Sequence, residues 1–139
     1  MHIEHVARIA APPDTVWRLT TEVERWPELL DAITTLERLD TGPLAVGSAA
    51  RIKQPGQPLR TWTVTELQAP RRFVWETHGV GMRMVATHDI EPTDTGCRNT
   101  LAIDLTGPLG AMIGALAGRR IAATIADENA VFTAEAERA

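Results

Sequence analysis

The side chain with the clearest chemical potential in this 139-residue chain is His88, within the alternating run from Met82 to Ile90. Successive side chains of a strand point to opposite faces, so His88 shares a face with Met84 and Ala86. Because that face is otherwise apolar, we expect the imidazole to point inward. There it could act as an acid, a base or a hydrogen-bond donor. The simpler alternative is a core histidine bonded to the backbone or to Glu66.

Glu66 is the predicted second acid–base residue, because alternation gives it the same face as Trp62 and Val64. Glu76 falls on the opposite face from Trp75. These carboxylates and the nearby histidines could hold a metal in principle, but they lack the ligand spacing of known metal sites. We therefore predict no metal and no cofactor. A phosphate-binding glycine loop, a serine nucleophile elbow and a Cys–His pair are also missing from the sequence.

Length and composition predict one domain over residues 1–139. The net charge of −4 argues against a partner that is a nucleic acid, since such partners usually bind a basic face. The first residues lack the basic and apolar regions of a signal peptide. No apolar run reaches the roughly 20 residues that cross a bilayer. We expect a cytoplasmic protein without a membrane span.

The elements that must position these residues follow a simple order. An alternating run, His2 to Ala10, predicts a strand that ends at two prolines, Pro12 and Pro13, which cannot donate to a ladder. Two short helical pieces follow, Thr15–Thr20 and a second one interrupted by Pro27. Turn residues then separate six further strand-like runs, which are Ile33–Leu39, Ser48–Gln54, Leu59–Gln68, Arg72–His78, Met82–Glu91 and Gly96–Thr106. The last 30 or so residues read as one helix from Pro108 to Arg138.

This order resembles the helix-grip or START-like superfamily, also called SRPBCC, to which polyketide cyclases and dehydrases belong. The resemblance covers the whole chain, and its matching segments are Ile9–Trp17, Trp26-Pro27, Trp62–Val64, Phe73–Glu76 and Gly107–Leu109. It implies an α+β fold in which a strongly bent, seven-stranded antiparallel sheet wraps around the long C-terminal helix. Two short helices would follow the first strand.

The resemblance also implies a cavity between sheet and helix, and strand alternation assigns the apolar faces to it. We expect Trp17 and Trp26 to support its floor rather than to contact a ligand. The predicted ligand contacts are Trp62, Val64, Phe73, Trp75, Met82, Met84, His88, Leu101, Ile103, Gly110 and Gly114.

The long helix carries glycines at intervals of four, Gly110, Gly114 and Gly118, opposite a face with Leu109, Met112, Ile113 and Leu116. Farther along, the apolar residues change sides. The helix could kink near Gly118, with a deformable first half at the pocket entrance, which is the interpretation we prefer. It could instead stay straight with the leucine face exposed, for a homodimer or a lipid surface. A third possibility is close packing of the glycine backbone.

The predicted function is binding of a small apolar or amphipathic ligand, such as a lipid, an isoprenoid quinone or a polyketide. One alternative is an aromatase or cyclase for a poly-β-keto chain, with His88 as the first choice of base and Glu66 as the second. Another is a ligand-free interaction module that uses the exposed helix face. A shifted His88 pKa in a deep pocket would favour the enzyme, and a filled interior would favour the interaction module.

Overall fold

The computed structural model describes residues 1–139 and contains seven strands and three α-helices. The strands are β1 (His2–Ile9), β2 (Thr35–Arg38), β3 (Ala49–Lys53), β4 (Arg60–Gln68), β5 (Arg72–Gly79), β6 (Met82–Thr93) and β7 (Gly96–Thr106). The helices are α1 (Pro13–Thr21), α2 (Trp26–Leu29) and α3 (Pro108–Arg138).

One antiparallel sheet contains all seven strands in the order β1-β7-β6-β5-β4-β3-β2. From β2 to β7, each strand pairs with the next strand in the chain, so these six strands form a meander. The first strand, β1, pairs with the last strand, β7, and forms one edge of the sheet. The β6–β7 hairpin has the longest ladder, and its register places His88 opposite Leu101. The predicted α+β helix-grip fold is confirmed.

The two short helices follow β1 and pack into the core through Val16, Leu19 and Trp26. Pro12 and Pro13 end β1 and begin α1, with Pro13 in the first turn, where a missing N–H costs nothing. A single 3₁₀ turn, Val23–Arg25, leads directly into α2. Pro27 therefore lies in the first turn of α2 and does not interrupt the helical piece as the sequence suggested. The indole Nε1 of Trp26 donates to the carbonyl of Leu19 at 3.1 Å and joins the two helices.

The second half of α3 is fixed to the sheet by a buried pair of asparagines. Asn99 of β7 donates from Nδ2 to Oδ1 of Asn129 at 2.9 Å, and Asn129 donates back to the Asn99 carbonyl at 3.1 Å. Asn129 Nδ2 also lies 3.0 Å from Nδ1 of His5 on β1. Around this pair, Ile125 and Phe132 are buried in the same core as the sheet residues.

The glycine face of α3 packs against the N-terminus and β7, not against a pocket entrance. A Cβ on Gly114 would lie 2.7 Å from Met1 Sδ, and one on Gly110 would lie 3.5 Å from the Leu105 carbonyl carbon. The helix is continuous through Gly118. Our preferred interpretation, a deformable entrance lined by glycines, is thus wrong, and the close-packing interpretation describes the contact.

The opposite face of the first half of α3 is exposed. Leu116 is 82% exposed and Met112 is 52% exposed, with Leu109 beside them. By length and composition, α3 is the one helix that could cross a membrane, but here it is the core helix of the fold. A homodimer through this face remains a prediction, and Ile113 would be the exception within it because it lines the cavity described below.

The residue that precedes α3 gives a test of how closely the start of the helix packs against the turn between β5 and β6. Gly107 has φ of +86°, and a Cβ there would lie 2.4 Å from the carbonyl oxygen of Gly81. We expect Gly107→Ala to lower the free energy of unfolding by roughly 2 kcal/mol or more, because both backbone strain and a clash with backbone result. Gly118→Ala is the matched control, since a Cβ there meets only the flexible end of the Met1 side chain, with Sδ at 3.4 Å. Urea unfolding should show Gly118→Ala neutral or stabilising by about 0.5–1 kcal/mol, and an equal loss in both variants would contradict the assignment.

Candidate functional site

A cavity of about 430 Å³ lies between the concave face of the sheet and α3. Its volume is in the range of pockets that bind small organic ligands. Fifteen of its 26 lining residues are hydrophobic. The exposed ones among the 26 are Pro55, Gly56 and Pro58 in the β3–β4 loop and Arg120 on α3, so these residues mark its mouth. The interior is therefore not filled, whereas the ligand-free interaction module would require a filled interior.

Strand alternation put six of the eleven predicted ligand contacts on the face that lines the cavity. The residues that line the cavity as predicted are Trp62, Trp75, Met84, His88, Leu101 and Ile103. Trp26 also lines it, so the expectation that Trp26 only supports the floor was wrong. Trp26 stacks edge-on against Trp75 with ring centroids 5.4 Å apart. Three of the four tryptophans, Trp26, Trp62 and Trp75, thus form part of the wall.

Five predicted contacts do not line the cavity. Val64 and Phe73 are fully buried in the core, and Phe73 lies behind Trp75 and His88 at centroid distances of 5.1 and 5.5 Å. Met82 packs beside Gly79 and Gly110 near the start of α3. The remaining two, Gly110 and Gly114, contact Leu105 and Met1, as described above.

Glu66 lies outside the cavity because β4 contains a bulge. The register shifts between Val64, opposite Trp75, and Glu66, opposite Val74, so Thr65 is the additional residue. Beyond the bulge the alternation is reversed. The Glu66 carboxylate instead accepts a hydrogen bond from Nε of Arg72 at 2.8 Å. The prediction of Glu66 as a cavity base is therefore wrong.

His88 sits in an aromatic environment in the cavity wall. Its imidazole lies 5.5 Å from Phe73, 5.6 Å from Trp26 and 6.2 Å from Phe132, measured between ring centroids. Nδ1 is buried without a hydrogen-bond partner in the protein, so the alternative of a core histidine bonded to Glu66 does not hold. Burial away from water lowers the pKa of His88 to about 4. The ring is neutral at physiological pH.

Sequence reasoning missed the carboxylate that does line the cavity, Glu128 of α3. It lies on the same helix face as Thr124 and Ile121, which also line the wall. Glu128 is half-buried among apolar side chains, and this desolvation raises the pKa of its carboxyl to about 7. A group whose pKa lies near ambient pH can both take up and release a proton.

Arg60, at the start of β4, is the second group that was missed. Its Nε atom is buried without a hydrogen-bond partner. Burial also lowers the pKa of the guanidinium, and no carboxylate offsets that effect. Arg60 shares its strand face with Trp62, so the alternation used for Trp62 could have identified it. The side chain brings an N–H donor without a protein acceptor to a wall that is mostly hydrophobic.

The burial of His88 predicts a specific dependence of stability on pH. An unfolded chain takes up a proton on this histidine near pH 6.5, whereas the folded protein keeps it neutral down to about pH 4. Stability is thus lost as pH falls from 6.5 to 4, by up to about 3 kcal/mol from this group alone. In His88→Gln, unfolding by urea should show a shallower loss over this range. His78→Gln, at an exposed histidine that lies 2.9 Å from Glu76, should change the slope less than His88→Gln does. Equal slopes in wild type and His88→Gln would contradict the assignment.

Comparison with known proteins places this geometry in a family. The family model described as polyketide cyclase / dehydrase and lipid transport matches residues 1–137. A Streptomyces cyaneus protein whose name assigns it to the polyketide cyclases is 47% identical over 38 residues. That match covers 27% of this chain and 25% of the relative, so it spans only about a quarter of each.

Solved structures share the fold over nearly the whole chain. The Zhui aromatase/cyclase from Streptomyces sp. R1128 has a TM-score of 0.75 at 22% identity, covering 99% of this chain and 94% of that one. The di-domain aromatase/cyclase StfQ of the steffimycin pathway has a TM-score of 0.81 at 14% identity. This chain spans about half of StfQ, with 99% of its own residues covered. A norcoclaurine synthase from Thalictrum has a TM-score of 0.72 at 19% identity, covering 96% and 91%.

These structural likenesses support the fold, and the family match covers both the sheet and the helix that enclose the cavity. The chain therefore belongs to the polyketide cyclase / dehydrase and lipid transport family.

Proposed function

We propose that the protein binds an amphipathic, carbonyl-bearing molecule of polyketide type in the cavity and catalyses proton transfer on it, of the kind that closes and dehydrates rings. The observation that carries the proposal is Glu128, a carboxyl held near neutral pKa in the wall of an apolar cavity. Perturbed titratable groups in a cleft are typical of catalytic sites. Relatives named as aromatase/cyclases support the same reaction class.

Glu128 is the general base in this proposal, and it replaces His88, the first choice from the sequence. A base whose pKa lies close to ambient pH combines a useful ionised fraction with a strong pull on the proton. His88, with a pKa of about 4, is a much weaker base. As a neutral imidazole it can instead donate a hydrogen bond to a carbonyl oxygen.

Arg60 complements His88 as a donor to oxygen. Its guanidinium carries a positive charge and has a buried N–H without a protein acceptor. Donors that are already in position stabilise the negative charge that develops on an oxygen during enolate formation. Apolar walls strengthen this interaction by excluding water. We therefore assign Arg60 and His88 to the stabilisation of substrate oxygens.

The proposed reaction needs no oxidant or cofactor. The Glu128 carboxylate takes a proton from a carbon next to a carbonyl, and the released electron pair forms a C–C bond to a second carbonyl carbon. The π pair of that carbonyl moves to its oxygen, which takes the proton back and becomes a hydroxyl. Removal of a neighbouring C–H proton with departure of that hydroxyl as water then leaves a double bond.

Proton exchange at a simple ketone tests this chemistry without the natural substrate. In D₂O, nuclear magnetic resonance follows the loss of the α-protons of a bicyclic aryl ketone such as 2-tetralone. We expect wild-type protein to accelerate the loss, with a rate that rises as pH increases through about 7, where Glu128 ionises. Glu128→Gln should lower the accelerated rate by about 100-fold or more.

The matched control is Asp127→Asn, which changes the exposed neighbouring carboxylate on the same helix. It should leave the exchange rate within a factor of two or so of wild type. Binding of the ketone can be measured separately, through the quenching of tryptophan fluorescence in the wall. This measurement separates two outcomes. Binding without acceleration would show a carrier rather than an enzyme, and acceleration that survives Glu128→Gln would contradict the role of Glu128.

A further inference from the structure

The cavity carries a positive charge, although the protein as a whole has a net charge of −4. Its lining contains two arginines, Arg60 and Arg120, against the single carboxyl of Glu128. With its pKa near 7, Glu128 is ionised only part of the time at neutral pH. The net charge of the lining residues is thus between one and two positive charges.

Neither cavity arginine is paired with a carboxylate. Seven other arginines form ion pairs within 4.0 Å, namely Arg25, Arg38, Arg51, Arg72, Arg83, Arg98 and Arg138. Arg60 is partly buried and its Nε has no acceptor in the protein. A desolvated guanidinium without a partner is costly, and an oxyanion is the group that best offsets that cost.

From these observations we infer that the ligand carries an acidic group, a carboxylate or a phosphate, which binds to Arg120 at the mouth and is also attracted by the charge of Arg60, while the body of the ligand extends toward Glu128 and His88. This inference rests on the proposed function, since it takes the cavity as the binding site. Guanidinium groups match the planar and bidentate geometry of both kinds of oxyanion.

The spacing along α3 fixes the orientation. Arg120, Thr124 and Glu128 follow one another at intervals of four on the helix face that lines the cavity. A rise of 1.5 Å per residue puts the backbones of Arg120 and Glu128 about 12 Å apart. Arg120 is exposed at the mouth and Glu128 is half-buried. Repulsion by ionised Glu128 disfavours the reverse orientation, so the acidic end lies at the mouth.

Calorimetric titration of three probes of similar shape tests the inference. The probes are a naphthyl-alkanoate, its neutral primary amide, and a naphthyl-alkyl phosphate. At pH 8 and low salt, we expect the anions to bind at least about tenfold more tightly than the amide, with the advantage shrinking as salt rises. The ratio between carboxylate and phosphate distinguishes the two possible head groups.

Charge-removing variants locate the effect. Arg120→Gln should weaken anion binding about five- to tenfold and change amide binding less than twofold, whereas Arg120→Lys should restore most of the loss. Arg119→Gln is the matched control, because Arg119 is the exposed neighbour and does not line the cavity. Arg60→Gln should weaken anion binding in the same direction but by less than Arg120→Gln, with thermal unfolding confirming that the variant is folded.

The outcomes separate this inference from the proposed function. If the amide binds as tightly as the anions, the acidic head group is wrong while the cavity remains the binding site. An equal loss in Arg119→Gln and Arg120→Gln would also overturn it, because a general surface field would then explain the preference. If none of the probes binds to wild-type protein, both this inference and the proposed function fail.

Discussion

The buried hydrogen bonds between Asn99 and Asn129 are the constraint on which the rest of the molecule depends. They fix the second half of α3 at one distance from β7 and β1, and the apolar side chains around them can then pack in only one register. A buried amide that loses its partner costs roughly 1–3 kcal/mol, so a shift of the helix along the sheet is strongly disfavoured. Phe132, close to this pair on the helix, packs behind His88 with ring centroids 6.2 Å apart.

With one half of α3 fixed, the cavity lies beneath its middle part. Side chains between Ile113 and Glu128 face the sheet but do not fill the space in front of it. Because this space is unfilled, polar side chains can lie in the wall without being enclosed by apolar atoms on every side. His88, Arg60 and Glu128 each have a shifted pKa for the same reason, the removal of water by apolar neighbours. The chemistry proposed for the site is thus a consequence of incomplete packing and not of a dedicated motif.

The fold and about half of the site could be predicted from the sequence, since strand boundaries and alternation carry that information. Alternation placed Trp62, Trp75 and His88 correctly because β5, β6 and the first part of β4 are regular. It failed at Glu66 because nothing in the sequence around Thr65 signals an additional residue. Glu128 was missed for another reason.

The inward face of a long helix cannot be read from its hydrophobicity when half of that helix exposes apolar residues. The glycines drew attention to a face that packs against Met1, whereas the cavity face combines apolar and polar positions, such as Ile121 and Thr124. The spacing of three and four residues between Ile121, Thr124 and Glu128 was the available signal. It identifies the inward face of the helix only when the position of the sheet is known. Arg60 was available from strand alternation and was overlooked.

The bulge in β4 has a further meaning for how this protein can change over evolution. Thr65 is a single inserted position, and its deletion would restore continuous alternation along the strand. Glu66 would keep its place opposite Val74, on the face away from the cavity, and Leu67 would keep its place opposite Phe73. One codon can therefore be lost at this point without changing which side chains form the wall. Insertions and deletions here would alter the bend and twist of the strand, while the acid–base arrangement of the cavity stays the same.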